Sequence, residues 1–164
     1  MQFRLSDVAA ITDGVLLGPD AVVDGASIDS RSVPRGCLFV PIVADRDGHD
    51  YVDAAMAAGA AAHLTSGAAS AHPAVRVDDT SLALRRLGAA ARRRVSGDVI
   101  GVTGSVGKTT TKDLLAGCLS TTKVTHASYR SFNNELGVPL TLLGAPDGVE
   151  VVVTEMGARG GGHI

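Results

Sequence analysis

The sequence predicts an α/β protein in two parts: a small mixed-sheet unit over residues 1–95, then the start of a parallel-sheet unit over residues 96–164. Three observations predict it. Short apolar runs alternate with segments of helical periodicity along the whole chain. Ser96-Gly97-Asp98 interrupts that alternation and reads as a domain junction. Directly after it, an apolar strand runs into a glycine-rich turn that opens a helix.

The elements follow in chain order. Ser6 is placed to cap a short helix, Asp7 to Thr12, stopped by Gly14. Val15–Leu17, Val22–Asp29 and Cys37–Ile42 read as strands, with Pro34 and Gly36 supplying the turn before the last. Val52, Ala55, Met56 and Gly59 recur at helical spacing, so Asp50–Ala58 is a predicted helix ended by Gly59. Ala60–Thr65 and Ala74–Val77 are two more predicted strands. Thr80 or Ser81 caps a helix to about Val95, with Leu84, Leu87 and Ala91 on one side.

In the second part, Val99–Thr103 is a predicted buried strand and Thr109–Leu119 a helix with Thr111, Leu114, Leu115 and Cys118 inward. Lys123–His126 is a weak strand. Leu136–Leu143 is a short helix that tolerates Pro139 in its first turn. Val149–Thr154 is a strand ending on Glu155. This β-α-β-α-β order predicts an open parallel sheet.

Composition narrows the function classes. The 164 residues are 45% hydrophobic and 20% charged, a globular balance that predicts one domain and a fraction. No apolar stretch is long enough for a membrane span, and the first residues lack the cationic start and apolar core of a signal peptide. Net charge is −2, from 15 basic and 17 acidic residues, and neither part is basic, which argues against non-specific nucleic-acid binding. The cluster Arg85, Arg86, Arg92, Arg93 and Arg94 reads as a solvated helix face. Cys37 and Cys118 read as small buried thiols rather than a disulfide, which suits a reducing cytoplasm.

Most of the chemistry lies in Thr103-Gly104-Ser105-Val106-Gly107-Lys108-Thr109-Thr110. Glycines let the backbone wrap a phosphate, and the N–H groups of the helix start face it. Lys108 can reach the β- and γ-phosphates, and the Thr109 hydroxyl can ligate Mg²⁺. The loop is tighter than the general GxxxxGK[ST] pattern, because Val102 stands where that pattern has its first glycine. Glu155, at the C-terminal end of a parallel strand, falls on the edge where open α/β sheets bind ligands, and can hold Mg²⁺ or orient a hydroxyl.

Three segments then carry a resemblance: Thr103–Lys112, Ser131-Phe-Asn-Asn-Glu-Leu-Gly-Val-Pro-Leu-Thr-Leu-Leu143, and Glu155-Met-Gly-Ala158. They are similar to the Mur ligases, and among these to the branch that adds D-alanyl-D-alanine. Ile28-Asp29-Ser30-Arg31, Gly36-Cys-Leu-Phe-Val40 and Asp47-Gly-His-Asp-Tyr51 resemble the nucleotide-sugar domain shared by that branch and the amino-acid-adding branch. The resemblance spans essentially the whole chain in order. It departs from the family at Pro41–Arg46, which lacks a glycine ahead of Asp47, so a reshaped turn is expected there.

The resemblance implies a UDP-sugar-binding domain at residues 1–95 and the beginning of a central ATP-binding domain at residues 96–164. Asp29, Ser30, Arg31, Asp47, Gly48 and His49 would face the UDP end of a UDP-N-acetylmuramoyl peptide. Thr103, Gly104, Ser105, Gly107, Lys108, Thr109 and Thr110 would hold ATP, with Thr109 and Glu155 on Mg²⁺. Asn133 and Asn134 would lie near the γ-phosphate and the acceptor, so Lys108, Asn134 and Glu155 are the implied catalytic residues. The implied reaction activates the terminal carboxylate of the peptide as an acyl phosphate, which the amine of D-Ala-D-Ala attacks to form an amide in peptidoglycan synthesis. The expected protein is cytoplasmic and monomeric.

The family pattern continues beyond Ile164 with a carbamylated lysine, a metal-binding histidine and a C-terminal domain, so the 164-residue chain alone is expected to lack ligase activity. Two other readings use the same residues: a UDP-sugar-binding module without catalysis, and the amino-acid-adding branch. A kinase or GTPase also uses a phosphate loop, but the chain has no N-K-x-D guanine motif.

Overall fold

The structure, a computed structural model, describes residues 1–68, 71–129 and 132–157. Its first part holds strands β1 (Gln2–Arg4), β2 (Val15–Leu17), β3 (Val22–Asp24), β4 (Ala26–Ser27), β5 (Leu38–Phe39), β6 (Ala62–Thr65) and β7 (Ala74–Arg76), with helices α1 (Leu5–Thr12), α2 (Val52–Ala57) and α3 (Thr80–Arg94). A five-stranded sheet runs β2-β7-β6-β5-β4, parallel except for the β2–β7 pair, and β1 pairs β3 antiparallel. The second part is β8 (Asp98–Val102), α4 (Lys108–Leu119), β9 (Thr125–Ala127), α5 (Gly137–Gly144) and β10 (Val151–Glu155). Its sheet is parallel, in the order β8-β10-β9. The α/β class and the mixed-then-parallel arrangement are as expected.

One apolar cluster runs through both parts. Leu84, Leu87 and Ala91 of α3 are buried together with Leu140, Leu142 and Leu143 of α5 and Val152 of β10. Gly88 makes the helix crossing possible: a Cβ there would lie 2.6 Å from Pro139 Cβ. The predicted inward face of α3 is therefore correct, and it is the face that joins the two parts.

Several local expectations are corrected. Ser6 does not cap α1; its own N–H and hydroxyl donate to Asp20, at 2.9 and 3.0 Å. The helix ends in a left-handed Asp13 (φ 55°), and Gly14 is bare because a Cβ would meet Arg76 O at 2.7 Å. Val22–Asp29 is broken by Gly25 (φ 68°) into β3 and β4. Asp79, not Thr80 or Ser81, caps α3, accepting the Ser81 and Leu82 N–H groups. The Thr80 hydroxyl donates instead to Pro41 O, tying the helix start to the segment that follows β5. Gly48–Tyr51 is a single tight 3₁₀ turn leading into α2, so the predicted helix Asp50–Ala58 is α-helical only over Val52–Ala57.

The arginine cluster is more than a solvated face. Arg86 donates to Thr12 O at 2.9 Å and to Asp13 at 2.7 Å. Arg94 donates to Gln2 O and stacks 4.6 Å over the Phe3 ring. These contacts fasten α3 to the N-terminal segment.

Helix α4 is rotated from its expected phase. Leu114 is 67% exposed, Thr111 and Cys118 are exposed, and the residue buried on the sheet is Lys112, at 2%. The first six residues of this helix, Lys108 to Asp113, are all polar or charged, so its apolar stripe is weak and a lysine stem can be buried if its ammonium finds partners. Cys37 is buried as expected, whereas the exposure of Cys118 contradicts the reading of two buried thiols.

Candidate active site

The phosphate loop leaves the C-terminal end of β8 and enters α4. Gly104 (φ 141°) and Gly107 (φ 77°) sit in the region that favours glycine, so the loop needs both. Gly107 precedes the helix without a capping side chain, which leaves the first N–H groups of α4 directed outward for an anion. Lys108 Nζ folds back onto Gly104 O at 2.7 Å. Thr103, Ser105 and Thr110 lie on the exposed loop and first turn.

Glu155 closes the arrangement from the neighbouring strand. It is 1% exposed, at the end of β10 beside Val102 of β8. Its Oε2 accepts the Thr109 hydroxyl at 2.7 Å, and its Oε1 accepts Asn133 Nδ2 at 2.7 Å. A buried carboxylate is costly unless hydrogen-bonded, and each oxygen here has a donor. Asn133 is held in turn by Gly157, whose N–H donates to Asn133 O at 2.7 Å. Lys108, Thr109, Asn133 and Glu155 thus surround the loop. Asn134 has a different place: its Oδ1 accepts the N–H groups of Leu136 and Gly137, at 3.3 and 2.9 Å, and caps α5.

The donor set suits a hard divalent cation. A threonine hydroxyl and a carboxylate, already in contact, are the oxygen ligands Mg²⁺ takes alongside water and phosphate. Among the described residues, no group of three or more His, Cys, Asp and Glu side chains is placed to hold a metal without a substrate.

The other predicted residues lie in the first part, in two places. Arg31 forks onto Asp29, with Nε to Oδ1 at 2.8 Å and Nη2 to Oδ2 at 2.9 Å. The Arg31 side chain and backbone N–H hold the Asp29 carboxyl down to about 2. Ser30 lies between them, half-buried. Ile28, next to this turn, lines a small cavity of about 140 Å³ with Phe132, Asn133, Asn134 and Leu136, so the Asp29–Arg31 turn borders the Asn133 segment.

The second place is a cleft of about 410 Å³ lined by Asp47, His49, Asp53, His63, Thr65 and Ser66. His49 Nδ1 meets Asp47 Oδ1 at 2.6 Å, and His49 Nε2 accepts the Ser66 N–H at 3.0 Å. These partners select the tautomer with the proton on Nδ1. In the preceding turn Val43 bridges Asp47, and Gly48 fits because a Cβ would lie 2.7 Å from Ile42 O. Ser66, His63 and Thr65 were not legible as site residues, since only the pairing of β6 beside β5 brings them to His49.

Comparison with known proteins agrees with this geometry. A family model for the Mur ligase middle domain matches residues 102–163. The chain is 38% identical to the UDP-N-acetylmuramoyl-tripeptide–D-alanyl-D-alanine ligase of Bacillus subtilis (strain 168), over 98% of this chain and 37% of that protein. It is 39% identical to the ligase of the same name from Escherichia coli (strain K12), over 98% of this chain and 36% of that protein. Among solved structures, MurF from Acinetobacter baumannii superposes with a TM-score of 0.85 at 31% identity, over 99% of this chain and 37% of that one. MurF ligase from Thermotoga maritima, in complex with ADP, superposes with a TM-score of 0.70 at 33% identity, over 87% of this chain and 34% of that one. The chain spans a little over a third of the length of the curated relatives it matches. On the middle-domain match, these identities and the shared fold, the chain belongs to the Mur ligase family.

Proposed function

We propose that the chain forms the nucleotide-handling part of an ATP-dependent ligase that joins D-Ala-D-Ala to a UDP-N-acetylmuramoyl-tripeptide. The observation that carries the reading is Glu155, buried at the phosphate loop and shared between Thr109 and Asn133. Curated relatives that bear this enzyme's name, at 38% and 39% identity, support the same assignment. The reading puts the activity in the cytoplasm, where ATP and UDP-linked precursors are at hand, and treats the protein as a monomer.

In this reading residues 96–164 bind ATP and residues 1–95 bind the UDP end of the precursor. Backbone N–H groups at the start of α4 and the Lys108 ammonium hold the β- and γ-phosphates. Lys108 exchanges its contact with Gly104 O for a phosphate oxygen. Thr109 and Glu155 would hold Mg²⁺, which when bound neutralises charge on the phosphates. Asn133 orients the Glu155 carboxylate and faces the transferring group. Asn134 contributes by fixing the start of α5 rather than by touching substrate. The Asp29–Arg31 fork and the Asp47–His49 pair present a guanidinium and a fixed imidazole to the diphosphate and uracil.

The chemistry needs little beyond positioning. The terminal carboxylate of the tripeptide attacks the γ-phosphorus and ADP leaves; the dipeptide amine then attacks the acyl carbon, and phosphate leaves as the amide forms. Calorimetric titration of the chain with Mg-ATP and with the UDP-muramoyl tripeptide tests the reading. Binding of both ligands is expected. Binding of the nucleotide sugar without any binding of Mg-ATP would replace it with a non-catalytic UDP-sugar module.

A further inference from the structure

Lys112 is the one charged side chain of α4 that the fold buries, at 2% exposure, and no step described so far uses it. It stands one helical turn beyond Lys108, so the two side chains leave the same side of α4. Its Nζ donates to Ser128 O at 2.7 Å and pairs with Asp113 Oδ1 at 2.8 Å.

Ser128 is the hub of a buried network. It follows β9, and its N–H continues the sheet onto Val153 O at 3.0 Å. Its hydroxyl accepts the Glu155 N–H at 3.1 Å and donates to Thr154 Oγ1 at 3.2 Å. Thr154 is fully buried and Ser128 is 3% exposed. Lys112 therefore grips the carbonyl of the residue whose hydroxyl grips the backbone of Glu155.

Burying an ammonium is expensive, and an apolar side chain of similar size would pack here without that cost. The lysine is instead held by the carbonyl of Ser128, the residue whose hydroxyl accepts the Glu155 N–H. We infer that Lys112 and Ser128 are positioning residues: together they fix the direction in which the Glu155 carboxylate leaves β10. This rests on the proposed reading for its purpose, since Glu155 is the group that would meet the cation. The geometry of the clamp is independent of it. Groups that hold a metal-binding carboxylate from behind typically govern metal affinity by about 10- to 100-fold.

The test is a pair of variants, Lys112→Met and Ser128→Ala, in the 164-residue chain. The first readout needs no ligand. Asn133 Nδ2 donates to Glu155 Oε1, so the Asn133 side-chain amide in a ¹⁵N NMR spectrum reports the carboxylate's direction. In the folded variants this amide is expected to lose its hydrogen-bonded shift and its protection from exchange, while the backbone spectrum elsewhere is retained. If Lys112→Met does not fold, Ser128→Ala, which removes only a hydroxyl, carries the test. The second readout is the ratio of ADP affinities with and without Mg²⁺. That ratio is expected to fall about tenfold, with metal-free ADP affinity unchanged. An unchanged Asn133 amide in the folded variants overturns the clamp. Loss of the amide signal in a chain whose wild type binds no nucleotide supports the clamp and overturns the nucleotide reading instead.

Discussion

The Thr109 hydroxyl donates to Glu155 Oε2 at 2.7 Å, across 46 positions of sequence. One residue opens a helix and the other ends the strand beside it. The contact exists because β8 and β10 are parallel neighbours, so both the loop after β8 and the end of β10 face the same sheet edge. With Asn133 on the other oxygen, both oxygens of the buried Glu155 side chain have a hydrogen-bond donor.

Replacing Asn133 by Ala leaves Glu155 Oε1 without that donor. The expected cost is about 1–3 kcal/mol of stability, the range for leaving a buried acceptor unsatisfied. Urea unfolding of Asn133→Ala against wild type measures it. A variant as stable as wild type would mean that water or another group satisfies the carboxylate.

The Asp29–Arg31 fork makes a pH prediction. Asp29 is held to about 2, below its ordinary 3.8, because Arg31 stabilises the charged form. A lowered carboxyl keeps its ion pair above the ordinary value and loses it only as pH falls toward about 2. In Arg31→Ala the Asp29 titration is expected to move up toward 3.8, followed by carboxyl ¹³C shifts. A titration that stays put would show that Arg31 is not the cause.

The two thiols are expected to differ. Cys37 is fully buried, and burial pushes its thiol up to about 11, whereas Cys118 is exposed. At mildly alkaline pH an aromatic disulfide reagent should modify one thiol quickly, and the second only on unfolding. A Cys118→Ser variant should abolish the fast phase. Fast reaction of both thiols would contradict the burial of Cys37.

Gly88→Ala tests the seam between the two parts. The added Cβ would lie 2.6 Å from Pro139 Cβ and 2.7 Å from Pro139 Cα. The better helix propensity of alanine, worth about 1 kcal/mol, opposes an overpacking cost of about 1–3 kcal/mol. Net destabilisation is expected, read as a lower urea midpoint. A gain in stability would mean that α3 and α5 do not pack as closely as the structure has them.

What was legible in the sequence was local. Gly104, Gly107, Lys108 and Thr109 stand together because one turn must hold one phosphate, so their spacing announces them. Glu155 was legible from its place after an apolar strand. The phase of α4 was not: Leu114, Leu115 and Cys118 make a plausible inward stripe, and nothing local says that Lys112 is the buried residue. Its partner Ser128 comes from another element, and only the sheet brings the two together. The cap of α3 was misread by one residue because Asp79, Thr80 and Ser81 are all capping types, and the Thr80 hydroxyl is claimed by Pro41. Asn133 and Asn134 look equivalent in sequence, yet one meets Glu155 and the other caps α5.

The most direct test of the central claim is calorimetric binding of ADP, with and without Mg²⁺, to wild type, Lys108→Met and Glu155→Gln. Mg²⁺ is expected to tighten ADP binding to wild type. Glu155→Gln is expected to lose that tightening but still bind metal-free ADP, and Lys108→Met to weaken binding about 10- to 100-fold in both conditions. ADP binding that is the same in all three proteins, or indifferent to Mg²⁺ in wild type, would contradict it.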